Sequence, residues 1–121
     1  GNTAPYLQYA HARIRSIFRR AGAASDPAAI VIREPQERAL ALELLGFGTA
    51  VAEVAETLQP HRLCTYLYNL ATSFTRFYEN CPVLKAEDEA TRRSRLALSE
   101  VTARTLAEGL DLLGIEAPER M

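Results

Sequence analysis

Between residues 61 and 80 the side chains Leu63, Leu67, Leu70, Phe74 and Phe77 recur at steps of four, three, four and three. A helix of 3.6 residues per turn brings such a series onto one face, and a stripe this apolar is stable only when other elements cover it. Gln59-Pro60 opens the segment and Asn80-Cys81-Pro82 closes it. It reads as a core helix, and the rest of the chain must supply its partners.

The same period recurs on both sides. Leu7, Ala10, Ile14, Ile17, Phe18 and Ala21 mark a first helix, with Asn2 or Thr3 as its cap, Pro5 in its first turn and Gly22 as its stop. Residues 23–33 carry Ser25-Asp26-Pro27 and then Ile30-Val31-Ile32, a connecting loop expected to fold back onto the core. Pro35 opens a second helix with Leu40, Leu44 and Leu45 inward, up to a break at Gly46-Phe47-Gly48. Thr49 is the expected cap of a third, running through Val51, Val54 and Leu58. A last helix runs from about Glu87 to Leu113, with Leu96, Ala103, Leu106, Leu110 and Leu113 inward. Asp88 and Glu89 stand at its positive end, and Gly114 is its C′ residue. No segment alternates with period two, and no self-repeat is visible. The expectation is an all-α bundle of about five helices, one domain over residues 1–121.

Composition agrees with a packed domain. At 121 residues, 48% hydrophobic and 24% charged, the chain can bury a core without a disulfide or a structural metal. No apolar run approaches the ~20 residues needed to span a bilayer, and no secretory pattern opens the chain, so no membrane partner and a cytoplasmic location are expected. Cys64 and Cys81 form neither a CxxC pair nor a zinc set with His11 and His61, and read as buried thiols. There is no GxGxxG, GxxxxGK[ST], HExxH or GxSxG. His11 reads as a packed or surface histidine, and no catalytic or metal-ligating residue is expected. The opening Gly1-Asn2-Thr3, with Met121 as the lone methionine, reads as a processed form or a piece of a longer chain.

The net charge of −1 conceals a division. Residues 1–24 hold four arginines and no acid, whereas residues 25–60 hold six acids against two arginines. On the first helix Tyr6, Tyr9, Arg13, Ser16 and Arg20 recur at steps of three and four, forming a second stripe beside the apolar one. Aromatic rings stack on unpaired bases and guanidinium groups bond phosphates or base edges, which is the composition of a single-stranded RNA contact. A solvated basic face with tyrosines at its margin accounts for the same pattern.

The stretch Tyr6-Leu7-Gln8-Tyr9-Ala10-His11-Ala12-Arg13-Ile14 resembles the QYAHAR-type segment that follows the catalytic domain of arginyl-tRNA synthetases. His61-Arg62-Leu63-Cys64-Thr65-Tyr66-Leu67-Tyr68-Asn69-Leu70-Ala71, then Phe77-Tyr78, then Leu112-Leu113-Gly114-Ile115 through Met121, resemble the same family in the same order. The resemblance covers nearly the whole chain. It implies the all-helical anticodon-binding (DALR) domain of a class I synthetase, whose partners are the tRNA anticodon stem-loop and the catalytic domain of the same parent chain. Carried over by position, Tyr9, Arg13, Tyr78 and Met121 surround an extruded anticodon base; Tyr6 and Arg20, from the stripe on the first helix, are expected as further tRNA contacts. Met121 is then the natural terminus of the synthetase. The HIGH- and KMSKS-type motifs do not occur here. The resemblance therefore implies binding without aminoacylation by this chain, with ATP and magnesium used by the parent and no cofactor here. The alternative is a helical protein-interaction or dimerisation module that does not bind RNA.

Overall fold

The computed structural model describes residues 3–22 and 25–121. Among them lie α1 (Thr3–Ala21), α2 (Pro35–Leu45), α3 (Phe47–Thr57), α4 (His61–Asn80) and α5 (Glu89–Leu112), with a short 3-10 turn, Pro27–Ala29, ahead of α2. No described residue is in a strand. The bundle expected from the periodicity is the bundle observed.

All five residues of the α4 stripe are buried. Leu7, Ile14 and Ile17 of α1, Leu40 of α2, and Leu96, Leu98, Leu106 and Leu110 of α5 complete the core around it. Burying each such side chain contributes roughly 1.5–3 kcal/mol relative to exposure. α5 runs antiparallel to α1, as Arg15 reaches Glu100 while Arg92 reaches the carbonyl of Ala21. Where α5 meets α4, a Cβ on Gly109 would lie 2.6 Å from a methyl of Leu67, so only glycine lets the helices approach this closely.

α1 and α4 run side by side in the same direction. The rings of Tyr6 and Tyr68 meet edge to face at 5.3 Å, and Arg13 Nη2 donates to Thr75 Oγ1 at 3.0 Å. Both pairs are separated by the same 62 positions, so the two helices keep one register over two turns. That offset places Tyr78 level with Ser16.

The helix ends follow local chemistry. Asp88 Oδ1 accepts the Thr91 N–H at 2.7 Å, which starts α5 at Glu89 rather than Glu87. At the other end Gly114 takes φ +76°, its N–H bonds the Asp111 carbonyl, and the Ile115 N–H bonds the Leu110 carbonyl, both at 2.9 Å. This αL turn stops the helix and sends residues 115–121 back along the bundle. Gly22, at φ +64°, ends α1.

Several expectations fail at the corner between α2 and α3. Leu45 and Leu58, expected inward, are 80% and 82% exposed. α3 begins at Phe47, with Gly46 ending α2 and starting α3, so Thr49 lies inside its first turn and caps nothing. One residue between helices turns α3 away from the face α2 buries, and Leu58 sits beyond the end of α3 in the left-handed region at φ +55°. Leu113 is only half-buried. In the loop, Ile30 packs on the core while Val31 and Ile32 are exposed, with the Val31 backbone bonded in both directions to Ser94 Oγ. Both cysteines are free thiols; Cys81 is buried but Cys64 is only half so. Thr3 is the first residue of α1 rather than its cap, and the alternative cap Asn2 lies outside the described residues, as do Ala23 and Ala24.

Candidate nucleic-acid interface

α1 sorts its side chains by face. Leu7, Ile14 and Ile17 point into the core. Beside them Gln8, His11, Arg15 and Arg19, at steps of three, four and four, hold the returning tail. Gln8 Nε2 donates to the Glu116 carbonyl at 3.0 Å, His11 Nδ1 meets the Pro118 carbonyl at 3.0 Å, and Arg19 Nη1 donates to the Glu119 carbonyl at 3.0 Å. A carbonyl can only accept, so the Nδ1 of the buried His11 carries a proton. Arg15 bonds Glu100 at 2.6 Å and comes within 3.5 Å of the Glu119 carboxylate. The tail lies along α1 as a strap, and its last residues end against that helix.

The third face of α1 and the end of the strap enclose a cleft of about 360 Å³, lined by Tyr9, Ala12, Arg13, Ser16, Arg19, Arg120 and Met121. Tyr9 and Met121 are exposed. Arg13 is held in place by its single bond from Nη2 to Thr75, and its Nε is buried with no hydrogen-bond partner among the described residues. A buried guanidinium N–H without an acceptor costs roughly 1–3 kcal/mol, so an acceptor brought by a ligand would recover free energy there. Among the described residues, Arg13, Arg19 and Arg120 meet no carboxylate within ion-pair distance, in contrast to Arg15. The cleft therefore combines an exposed ring, a thioether, unused donors and uncompensated positive charge.

The structure thus brings together Tyr9, Arg13 and Met121, three of the six residues singled out from the sequence. Tyr78 does not line this cleft: it is one helical turn beyond Thr75, half-buried, with its ring stacked on Phe74 at 5.9 Å. Tyr6 opens on a different cleft with Tyr68 and His61. Arg20 is exposed on the last turn of α1 and lines neither. Thr75, Arg19 and the strap-holding residues Gln8 and His11 were not singled out. Their contacts are made to backbone carbonyls or across 62 to 108 positions of sequence, which no local pattern records. No three described His, Cys, Asp or Glu residues converge as metal ligands, and no described helix is long and apolar enough to cross a membrane.

A family model for the DALR anticodon binding domain matches residues 7–121. The chain belongs to this family. The match begins at Leu7 of α1 and ends at Met121, so it contains the whole cleft. Among curated relatives, the arginine–tRNA ligases of Thermobifida fusca and Frankia casuarinae are each 62% identical over the full length of this chain. The chain spans about a fifth of their length, 21% in each. Arginyl-tRNA synthetase of Thermus thermophilus superposes on all of the chain with a TM-score of 0.87 at 50% identity, over 21% of the solved chain. That of Plasmodium falciparum superposes with 0.85 at 32%, over 22%. The fold of this DALR domain is therefore retained down to about a third identity.

Proposed function

We propose that this chain grips the anticodon loop of an arginine tRNA on behalf of an arginine–tRNA ligase of which it forms the anticodon-binding part. The buried, unpartnered Nε of Arg13 in the cleft with Tyr9 and Met121 carries this reading. A base drawn out of the loop would stack on the Tyr9 ring, lie against the Met121 thioether and offer an acceptor on its edge to Arg13. Tyr78, level with Ser16, bounds the same nucleotide from α4. Arg19 and Arg120 flank the cleft, where phosphates would pass, and Arg20 extends this positive edge along α1. Loop nucleotides are the fitting substrate because their bases are unpaired and can be turned outward without breaking a duplex.

The chain itself contributes binding. Activation and transfer of arginine, with the ATP and magnesium they use, belong in this proposal to the catalytic part of the same protein, in the cytoplasm. Titrating labelled anticodon stem-loops of an arginine tRNA and a non-cognate tRNA at two salt concentrations tests the reading. The cognate loop should bind more tightly, both affinities should fall with salt as counterions are released, and Tyr9→Ala should lose ~1–3 kcal/mol on the cognate loop. Equal affinities for the two loops, or an unchanged Kd for Tyr9→Ala, would overturn it.

A further inference from the structure

We propose that Tyr6 and Tyr68, with His61 beside them, form a second stacking platform, for a loop nucleotide one to three steps along the strand from the one held at Tyr9 and Arg13. This rests on the anticodon-loop reading above and adds residues to it. The edge-to-face pair at 5.3 Å leaves Tyr6 39% and Tyr68 46% exposed, so each ring offers a large part of its surface to a ligand. They line a cleft of about 530 Å³ together with His61, Cys64 and Thr65. A pair of tyrosines serving only the core would be covered, as Phe74 and Phe77 are. The two rings offer stacking surface, and the imidazole of His61 beside them adds a donor and an acceptor for a base edge.

Its position fixes the occupant. Because α1 and α4 keep one register from the Tyr6–Tyr68 pair to the Arg13–Thr75 pair, the two sites lie on the same inter-helix surface two turns apart, about 10 Å along the axis. A strand with bases stacked advances ~3.4 Å per nucleotide and an unstacked one farther, so one to three steps of a single strand bridge the interval. Tyr9 lies between, one turn from Tyr6 on the same helix. A strand seated at Arg13 and running toward the start of α1 meets Tyr6 and Tyr68 next.

The test uses the full-length protein that carries this chain, with anticodon stem-loops in which 2-aminopurine replaces each loop base in turn. Tyr68→Ala should weaken binding at least 5-fold, Tyr68→Phe should bind like the parent, and one loop position should lose its fluorescence quenching in Tyr68→Ala but keep it in Tyr9→Ala. If Tyr9→Ala weakens binding while Tyr68→Ala and Tyr6→Ala leave both affinity and quenching unchanged, the second platform is overturned and the anticodon-loop reading stands. Unchanged binding in all three variants overturns that reading as well. If Tyr68→Ala lowers the melting temperature of the full-length protein without changing RNA affinity, the pair packs on another part of the protein and the platform is likewise overturned.

Discussion

His11, buried on α1, gives its Nδ1 proton to the carbonyl of Pro118 at 3.0 Å, three residues before the end of the chain. This bond joins core to cleft, since the segment it holds delivers Arg120 and Met121 to Tyr9 and Arg13. Gln8 and Arg19 hold the strap from the surface, whereas His11 does so from a buried position where the bond does not compete with water.

His11→Ala should therefore lower RNA affinity although His11 is buried and lines no part of the cleft. Loss of the bond, with the Pro118 carbonyl left unpaired, should cost about 1–3 kcal/mol of stability. The affinity loss should approach that of deleting Met121. Parallel stem-loop titrations and urea melts measure both quantities. If His11→Ala binds like the parent while the Met121 deletion weakens binding, the strap holds without its buried latch.

How much of this could be read from sequence depended on where each signal resides. The α4 stripe was legible because one helix carries five core residues in a single period, and every one of them is buried. Leu45 and Leu58 looked alike in composition but lie at a corner turned by one residue, where the period no longer says which way a side chain points. Tyr6 and Tyr9 belong to one stripe on α1, yet three residues turn them apart by ~60° around a helix of 3.6 residues per turn, and α4 and the strap divide that stripe into two clefts. The strap was hidden for a different reason. Its acceptors are the carbonyls of Glu116, Pro118 and Glu119, a group every residue possesses.

Gly109→Ala should destabilise the domain, and the sign should reverse when Leu67 is cut back. A Cβ at 109 would lie 2.6 and 2.7 Å from the two methyls of Leu67, which is itself fully buried and has nowhere to swing. Overpacking of this kind costs about 1–3 kcal/mol, against roughly 1 kcal/mol gained from alanine's better helix propensity. In a Leu67→Ala background the clash is gone, the added methyl fills part of the cavity, and Gly109→Ala should stabilise. Denaturant melts of the four proteins decide the matter; additive effects of the two changes would contradict the close approach.

Acid should loosen the junction of α2 and α5. Burial alone would raise the Glu37 carboxyl, but the N–H groups of Glu34 and Arg33, at 2.7 and 2.9 Å, and the Arg95 guanidinium at 3.1 Å outweigh it and hold the group below its ordinary range. Glu100, between Arg15 and Arg104, is depressed in the same way against its own burial. A depressed carboxyl contributes its stability above the unfolded value of about 4.3 and loses it as pH falls through the lower folded value. Unfolding free energy should hence fall steeply below about pH 4.3, and less steeply in Glu37→Gln. At pH 7 that variant should be less stable by about 3 kcal/mol, because it leaves Arg95, whose side chain is only 11% exposed, without its counter-charge. Parallel curves for the variant and the parent below pH 4.3 would refute the role given to Glu37.

At the alkaline end Tyr66 should resist ionisation. Its hydroxyl donates to the Glu43 carbonyl at 2.5 Å, beside the Gly46 N–H that uses the same acceptor, so one phenol pins the corner where α2 gives way to α3. Burial, helped by the negative charge of Glu43, pushes its pKa up to about 12. A raised value means that the neutral phenol's contribution is fully present below the unfolded value of about 10 and is lost as pH rises through about 12. In a spectrophotometric titration of the five tyrosines, one should ionise last, and Tyr66→Phe should remove that last step. At pH 7 the same variant should lose about 1 kcal/mol, the net worth of one hydrogen bond with its acceptor still partly satisfied by Gly46. Removal of an early step with a midpoint near 10 would show that the phenol is not held at the corner.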